Sequence, residues 1–441
     1  MVIPVSSWGR LNAAPHAVLP IDALGSQRPL SFTLPLPEPG QTVLPYGMGR
    51  SYGDVCLNPD GALWLTAGAD HWLAFDADSG LLTCQAGTLL ADIQRLMAPR
   101  GWMLPVTPGT QFVTVGGAIA NDVHGKNHHR AGSFGHHVQA LTLQRTDGRT
   151  ITCGPDQHAE WFAATVGGLG LTGLITQATL PLRRVASPWL DTETIAFDAL
   201  ERFYALAAES EADWEYTVSW IDCLDPRGRG VFIRANHGAA GASVPTQRPR
   251  SSGLNMPFTP PLSLVNKISL RAFNTLYYHA HRLRQGRRIS HYLPFFYPLD
   301  GIAHWNRMYG PRGFYQYQCV VPFDGGEQAI AALLERIAQS GQGSFLAVLK
   351  TFGHQASPGL LSFAQPGITL ALDFPNQGDK TLRLFEQMDA IVGQAGGRLY
   401  PAKDARMPAG LFQSGYPQWA QMQPYRDPGI SSAMSRRLMG Q

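Results

Sequence analysis

Two glycine-rich loops carry the residues whose types and spacing best suit cofactor chemistry. The first covers residues 45–54 (P-Y-G-M-G-R-S-Y-G-D) and has three glycines within seven residues. Glycine adopts positive φ at no steric cost, so successive N–H groups can point at one pyrophosphate. The second covers residues 108–129, where Gly116, Gly117 and Ala118 leave room for a large planar cofactor against the main chain. Each loop alone is a common turn pattern, but the two together predict a cofactor site.

The hydrophobic spacing indicates the elements that must position these loops. Between residues 45 and 182, β-rich runs at 62–66, 81–85, 139–145 and 174–182 surround a helical pattern at 89–98 capped by Thr88, which predicts an α+β domain. A second unit is predicted to begin near Pro188, with alternating strands and long helices typical of an antiparallel sheet covered on one face. Its predicted strands are 215–223, 230–234, 316–322, 345–351 and 368–374, and its predicted helices are 197–208, 326–340 and 380–395.

The composition limits the class of protein and its compartment. The 441 residues are 44% hydrophobic and 15% charged, as in a soluble protein of about two domains. The five cysteines are widely spaced without a C-x-x-C pair, so neither a disulfide framework nor a zinc ribbon is expected. The N-terminus lacks a basic region followed by an apolar run, and the uncharged stretches 101–121 and 161–182 are interrupted by glycines. We therefore expect a cytoplasmic protein without a signal peptide or transmembrane span.

One segment has an unusual charge distribution. No acidic residue occurs between Asp225 and Asp300, whereas eleven lysines and arginines do, mixed with aromatic residues. Such a segment suits an anionic membrane surface, a phosphate-bearing substrate or nucleic acid. The alternative is a mobile, solvated loop region, because charge runs are usually solvated faces.

Longer motifs are similar to those of a known family. They are G-R-S-Y-G-D at 49–54, the second loop extended through A-G-S-F-G at 131–135, A-T-V-G-G-x-G-L-T-G at 164–173, P-L-D-x-x-x-x-W-N-R at 298–307, G-F-x-Q-Y-Q at 313–318, D-F-P at 373–375 and G-G-R-L-Y-x-A-K-D-x-R at 396–406. In this order they resemble the vanillyl-alcohol-oxidase type of FAD-binding proteins, and most closely the decaprenylphosphoryl-β-D-ribose oxidase family. The resemblance extends over nearly the whole chain.

The resemblance implies a two-domain α+β fold of the PCMH-type FAD-binding class. Residues 1–187 would form the FAD-binding domain and residues 188–395 the substrate domain, with the basic and aromatic insertion 226–299. Residues 396–441 would return to the FAD domain. The implied reaction is oxidation of the ribose 2′-hydroxyl of a polyprenyl-phosphoryl ribose to a ketone, the first half of an epimerisation to the arabinose donor for cell-envelope glycans. A separate keto-sugar reductase is the implied partner, peripheral binding to the inner face of the cytoplasmic membrane stays open, and no nucleic acid is expected.

The resemblance also implies roles for individual residues. Lys403, Tyr52 and His124 would carry the chemistry, and Lys403 and Tyr52 are candidates for proton transfer, because a desolvated lysine or a tyrosine beside a lysine can have its pKa moved towards neutral. The implied substrate residues are Lys126, Phe296, Gln316, Gln318, Lys350 and Thr369. The implied FAD-binding residues are Tyr46, Gly47, Gly49, Arg50, Ser51, Tyr52, Gly53, Asp54, Gly109, Thr114, Val115, Gly116, Gly117, Asn121, Asp122, Val123, His124, Ile175 and Tyr400.

The chain departs from the family pattern at a few positions. Arg50 stands where many relatives carry the histidine that bonds FAD covalently, so we predict noncovalent FAD. Thr369 and Ala371 replace Asn and Cys found in close relatives, and Phe296 replaces a common tyrosine. The substrate is therefore open between the polyprenyl-phosphoryl ribose and another sugar or alditol.

Three other interpretations use parts of the same sequence. Residues 168–173 match G-x-G-x-x-G, but a dinucleotide fingerprint follows a strand and opens a helix, whereas here a helical run precedes and a β-rich run follows. A cluster of five histidines could bind a metal: His124, His128, His129, His136 and His137. Their spacing matches no helical pair of metal ligands, so we predict no metal site. A non-enzymatic alternative is a basic lipid-surface or nucleic-acid binding module built on residues 226–299.

Overall fold

The computed structural model describes residues 2–21, 34–35, 37–238 and 253–440. The strands are β1 Val2–Ser6, β2 Ala13–Pro20, β3 Val43–Tyr46, β4 Ala62–Leu65, β5 Trp72–Phe75, β6 Leu81–Gln85, β7 Trp102–Met103, β8 Ala140–Gln144, β9 Thr150–Cys153, β10 Leu174–Pro181, β11 Arg183–Arg184, β12 Trp189–Phe197, β13 Tyr216–Ile221, β14 Gly230–His237, β15 Leu254–Asn255, β16 Gly286–His291, β17 Ile302–Ala303, β18 Phe314–Val321, β19 Ala347–Phe352, β20 Gly367–Pro375 and β21 Arg398–Leu399. The α-helices are α1 Leu90–Met97, α2 Val115–Ala120, α3 His128–Ala131, α4 Ala159–Thr165, α5 Leu200–Ser210, α6 Lys267–Leu283, α7 Tyr292–Phe296, α8 Gly326–Ser340, α9 Asp379–Gln394, α10 Ala409–Gly415 and α11 Ala433–Met439. Short 3-10 helices cover Asp54–Cys56, Thr66–Gly68, Ala98–Arg100, Phe134–His137, Pro298–Gly301, Trp305–Tyr309 and Pro417–Tyr425.

Two sheets in the N-terminal part carry the glycine-rich loops. The first has the strand order β1-β2-β4-β3, and the first loop begins at the end of β3. The second has the order β5-β6-β10-β8-β9, with antiparallel neighbours. The N–H of Gly116 donates to the carbonyl of Ala86, just after β6, at 2.8 Å. That contact ties the second loop to the end of the second sheet.

A larger sheet of eight strands follows in the order β16-β12-β14-β13-β19-β20-β18-β21, and its pairings are antiparallel. The helices α5, α8 and α9 bury apolar residues on one face of this sheet, including Phe203, Leu333 and Phe385. This arrangement confirms the predicted α+β fold with a helix-covered antiparallel sheet.

The alternation along the central strands explains why only some of their residues reach the opposite face. In β18, Tyr317 and Cys319 pack towards the helices, whereas Gln316 and Gln318 line a cavity. The same alternation places Lys350 of β19 and Thr369 of β20 on the cavity side. Successive side chains of a strand point to opposite faces, so one face builds the core and the other builds a site.

The C-terminal segment lies against the first sheet and its loop. Ile430 forms a parallel bridge with Val43 of β3, and the Arg437 guanidinium of α11 donates to the carboxylate of Asp54 at 2.9 and 2.8 Å. The proposed domain divisions fall in connections, between β11 and β12 and between α9 and β21. We propose these two connections as the boundaries between the domains.

About half of the basic segment forms helices and strands, so the interpretation as a loop region is wrong for that half. It supplies β14 and β16 to the eight-stranded sheet and contains the 17-residue helix α6. Residues 239–252, with Arg248 and Arg250, lie outside the described residues. Across the part of the chain that the structure describes, no helix is long and apolar enough to cross a bilayer.

Candidate active site

A cavity of about 670 Å³ brings together both glycine-rich loops, one face of the eight-stranded sheet and the C-terminal segment. The predicted residues that line it are Tyr46, Gly47, Gly49, Arg50, Ser51, Tyr52, Gly109, Thr114, Gly116, Gly117, Asn121, Val123, His124, Lys126, Ile175, Phe296, Gln316, Gln318, Lys350, Thr369, Tyr400 and Lys403. Four predicted cofactor residues do not line it: Gly53, Asp54, Val115 and Asp122. Residues from distant parts of the sequence therefore meet at one place.

The first loop turns sharply after β3 and touches the second loop. Gly49 has φ +58°, and a Cβ there would overlap the hydroxyl of Tyr46. A Cβ at Gly47 would lie 2.6 Å from Oγ1 of Thr114. Glycine is required at residue 49 by its positive φ and by Tyr46 of the same loop, and at residue 47 by the close approach of the second loop.

Gly53 contacts the C-terminal segment instead of lining the cavity. A Cβ at Gly53 would overlap the carbonyl oxygen of Asp404, and the N–H of the preceding Tyr52 donates to the carbonyl of Ala402 at 3.1 Å. The missing side chain lets the two backbones approach closely. Gly53 thereby brings the first loop against the segment that carries Lys403.

Three further predicted cofactor residues hold the loops in shape. Asp54 accepts from Arg437, as described above, and Val115 is fully buried in the core. Asp122 is buried and accepts from Oγ of Ser362 at 2.5 Å. Their side chains do not line the cavity and instead stabilise the loops that form its wall.

The second loop passes into a short helix at the cavity. Thr114 precedes α2, and its Oγ1 accepts from the N–H of Gly117 at 3.1 Å, which is an N-cap contact. The amide nitrogen of Asn121 donates to the carbonyl of Gly117 at 2.9 Å and closes the other end of the helix. These contacts fix the small residues of the loop along the cavity wall.

His124 lies between two polar residues of the sheet. Its Nε2 is 2.9 Å from the side-chain amide of Gln318, and its Nδ1 is 2.9 Å from Nζ of Lys350. Burial, together with the charge of Lys350, holds the pKa of His124 well below its ordinary value. The imidazole is therefore neutral and has one acceptor nitrogen, which accepts either from Nζ of Lys350 at Nδ1 or from the side-chain N–H of Gln318 at Nε2.

Three lysines project into the cavity with few acids to balance them. Burial lowers the pKa of Lys126 to about 7 and that of Lys350 to about 7, and the neighbouring lysines add to the shift at Lys350. Burial lowers the pKa of Lys403 to about 8, although Asp373 opposes the shift. Nζ of Lys126 and Nζ of Lys350 donate to the carbonyls of Phe295 and Gly125, respectively. The cavity therefore favours an anion, which would restore the charge of these lysines.

Lys403 and Tyr52 lie together above a buried acid. Nζ of Lys403 is 3.9 Å from the centre of the Tyr52 ring. Asp373 accepts from the amide of Gln316 at 2.8 Å and from the hydroxyl of Tyr309 at 3.2 Å. Burial raises the pKa of Asp373 to about 7, while the charge of Lys403 opposes that rise.

Proton transfer by Tyr52 would require a pKa lowered towards neutral, but the pKa of its hydroxyl is shifted in the opposite direction. Burial, reinforced by the negative charge of Asp373, raises the pKa of Tyr52 well above 10. Its hydroxyl therefore stays protonated at neutral pH. Among the two candidates, Lys403 alone has its pKa moved towards neutral.

The structure adds site residues that the sequence prediction missed. Asp373 belongs to the D-F-P motif. Nothing in the sequence indicated that this carboxylate would interact with Lys403, which lies 30 residues further along the chain. Trp220, Tyr277 and Arg288 also line the cavity. Trp220 belongs to the second unit, and Tyr277 and Arg288 belong to the basic segment. In the sequence, the excess positive charge of that segment was the one signal that it could bind an anion.

The two alternative cofactor interpretations can be compared with the structure. Residues 168–173 form a turn from α4 to β10, with Gly170 and Gly173 at positive φ, so they do not open a helix as a dinucleotide fingerprint does. Both glycines line the cavity. Among the described residues, no three His, Cys, Asp or Glu side chains are grouped as a metal site requires. Four of the five clustered histidines contact main-chain atoms, as His129 does with the carbonyl of Trp214 at 2.9 Å, and His124 contacts Gln318 and Lys350.

Comparison with known proteins places this cavity in context. The family described as FAD binding domain matches residues 36–154, which include both glycine-rich loops. Decaprenylphosphoryl-β-D-ribose oxidase of Mycolicibacterium smegmatis is 35% identical over 420 residues, covering 91% of this chain and 90% of that protein. An uncharacterized protein of Streptomyces coelicolor is 33% identical over 78% of this chain and 98% of its own. L-gulonolactone oxidase of Mus musculus is 32% identical over 30% of each chain.

The cofactor is FAD, and the glycine-loop end of the cavity fits it. There, Nε of Arg50 and Oδ1 of Asn121 are buried without a hydrogen-bond partner in the described residues. Buried polar atoms require partners, and FAD offers phosphate oxygens, hydroxyls and ring nitrogens. The residues that would hold it are those of the two loops together with Ile175 and Tyr400.

We expect Gly49→Ala to weaken FAD binding about tenfold or more, because the methyl group would displace Tyr46 from the cavity wall and because positive φ costs a non-glycine residue about 1 kcal/mol. The measurement is titration of the apoprotein with FAD, followed by absorbance. Gly40→Ala is the matched control, since Gly40 has φ +85° with no atom near its Cβ position. Equal FAD affinity in the two variants would contradict this account of the loop.

Proposed function

The chain belongs to the decaprenylphosphoryl-β-D-ribose oxidase family of FAD-dependent oxidoreductases, and on that premise we propose the reaction that it catalyses. The chain oxidises the 2′-hydroxyl of a polyprenyl-phosphoryl-β-D-ribofuranose to the 2′-keto sugar. The observation that carries this proposal is the group of buried lysines, Lys126, Lys350 and Lys403, in the cavity that also holds FAD.

The lysines support a substrate that carries phosphate. Burying an ammonium group without a counter-charge is costly, and the lowered pKa values of Lys126 and Lys350 express that cost. A phosphate at this point pairs with them and raises both pKa values again. A neutral sugar or alditol does neither, so the cavity favours the phosphorylated glycolipid over these alternatives.

The division of labour between cofactor and protein follows from the positions of the side chains. Bound FAD would supply the two-electron oxidant for the alcohol. Nζ of Lys403, in its neutral form, accepts the hydroxyl proton. Asp373 sits beside Lys403 and adjusts its basicity, while Gln316 and Gln318 are placed to hold the sugar. The aromatic and apolar walls exclude water from this proton transfer.

The product of this reaction determines what must follow. A 2′-keto sugar that is reduced from the opposite face gives the 2′-epimer, the arabinose compound. The proposal therefore includes a separate keto-sugar reductase as the next enzyme, and the arabinose glycolipid as a donor for cell-envelope glycans. The cytoplasmic location stays a prediction.

We also propose that FAD is bound noncovalently. Arg50 replaces the histidine of covalent relatives, and burial raises the pKa of the thiol of Cys56, which lines the cavity, to about 12. A protonated thiol is a poor nucleophile. Acid precipitation of the holoprotein is expected to leave essentially all flavin in the supernatant, measured by its absorbance. Flavin retained in the washed pellet would contradict this.

Asp373→Asn is expected to shift the pH profile of kcat/KM to lower pH. Activity should rise with pH as Lys403 loses its proton, around the lysine pKa of about 8. The carboxylate of Asp373 raises that pKa, so its removal lowers the pKa and moves the rising limb downward. Lys403→Ala is the comparison variant and should keep FAD while losing turnover. A profile that is unchanged in Asp373→Asn, or full turnover in Lys403→Ala, would remove Lys403 from the role of base.

The substrate proposal is tested with polyprenyl-phosphoryl ribose and the matching polyprenyl riboside without phosphate. Since a hydrogen bond to a charged group contributes about 1.5–3 kcal/mol, we expect Lys350→Met to lower kcat/KM for the phosphorylated substrate about 10- to 100-fold. The effect on the phosphate-free substrate should be small. The exposed Lys380 provides the control variant Lys380→Met. Equal turnover of both substrates by the unmodified protein would favour the other sugar or alditol.

A further inference from the structure

The helix α6 (Lys267–Leu283) has apolar residues on two different faces. One face, which includes Leu270 and Tyr278, is buried against the eight-stranded sheet. At about 100° per residue, Ile268, Leu276 and Leu283 fall on a second face, where they are 81%, 71% and 87% exposed. A surface helix ordinarily has one apolar stripe and a polar opposite face. The second stripe of α6 is therefore available to another surface.

Apolar exposure is concentrated around this helix. Of the twelve large apolar side chains that are exposed in the described part of the chain, nine lie between residues 254 and 289. Leu262 and Leu264 come just before α6, and Oγ of Ser269 in the helix donates to the carbonyl of Leu264 at 2.7 Å. A patch of this kind marks an interaction site, whereas singly scattered apolar residues do not.

The charges beside the apolar stripe have one sign. By the same helical spacing, Arg271 and Arg282 lie along one flank of the stripe, and both are exposed. The sequence offers no acidic residue between Asp225 and Asp300 to offset them. A surface with cations beside apolar side chains is complementary to anionic lipid headgroups above acyl chains.

The same helix forms part of the cavity wall. Tyr277 and His281 of α6, together with Arg288 of β16, line the end of the cavity at this helix. The exposed apolar stripe and the cavity therefore lie on different faces of the same helix, α6. A molecule that is held at the stripe lies next to this end of the active site.

We propose that α6 and residues 262–264 form a docking surface for an anionic phospholipid membrane. Ile268, Leu276 and Leu283 insert among the acyl chains, and Arg271 and Arg282 contact the headgroups. A second copy of the chain is a poorer occupant, because a symmetric contact would place these cations against their own copies. The docking surface goes beyond the proposed reaction and does not depend on it.

Flotation of the holoenzyme with lipid vesicles tests this surface without any substrate. The vesicles are phosphatidylcholine alone or phosphatidylcholine with phosphatidylglycerol. We expect the unmodified protein to bind the anionic vesicles, and the double variant Leu276→Ser/Leu283→Ser to bind them at least about tenfold more weakly, since two apolar side chains are lost from the bilayer. Arg271→Gln/Arg282→Gln should lose the preference for phosphatidylglycerol. Phe323→Ser, at an exposed phenylalanine outside the patch, is the control and should bind unchanged.

The flavin spectrum and the melting temperature of each variant establish that the fold is intact. The proposal is overturned if the unmodified protein does not float with anionic vesicles, if it floats equally with neutral ones, or if the leucine variants bind as well as the control. It is also overturned, in favour of a second copy, if the protein forms a concentration-dependent dimer that the leucine variants abolish. Since no substrate is present, none of these outcomes bears on the reaction proposed above.

Discussion

The guanidinium of Arg437 donates to Asp54 in the first glycine loop and to Asp404 in the C-terminal segment, at 2.8 and 3.0 Å. One side chain near the end of the chain thereby joins two segments that the sequence keeps far apart. Gly53 completes the contact, because any side chain there would overlap the carbonyl oxygen of Asp404. Lys403 reaches the ring of Tyr52 only because these backbones touch, so the chemistry of the site depends on this contact.

The second constraint is electrostatic. The cavity concentrates Lys126, Lys350 and Lys403 around a neutral His124, and Asp373 is the acid that offsets Lys403. Such an arrangement costs stability in the free protein, because the charged forms of the lysines are poorly solvated. A bound anion offsets that cost, and with Lys126 and Lys350 near pKa 7, its binding takes up protons at neutral pH. The same features that make the free site unfavourable make it selective for a phosphorylated ligand.

Much of the fold and most of the site could be predicted from the sequence, because both depend on local patterns. Period-two alternation predicts β18 and β20, and the glycine loops predict a cofactor wall that includes Gly47, Gly49 and Gly117. The sequence does not show contacts that depend on a residue's tertiary partner. Nothing in the sequence near Asp54 indicates that its carboxylate accepts from Arg437. The pKa shift expected of Tyr52 has the wrong direction because burial and the charge of Asp373 outweigh the opposing effects of Gln316 and Arg50. The positive charge of the basic segment was evident, but the two-faced helix α6 within it was not predicted.

We propose that a polyprenyl-phosphoryl ribose, held by the lysines of this cavity, reduces the enzyme's FAD. Anaerobic mixing of the holoenzyme with that glycolipid tests this proposal, with the flavin absorbance followed over time. We expect rapid and complete bleaching of the flavin band by the glycolipid, and little bleaching by free ribose or an alditol at the same concentration. A flavin that stays oxidised with the glycolipid but is bleached by the free sugar or alditol would contradict it.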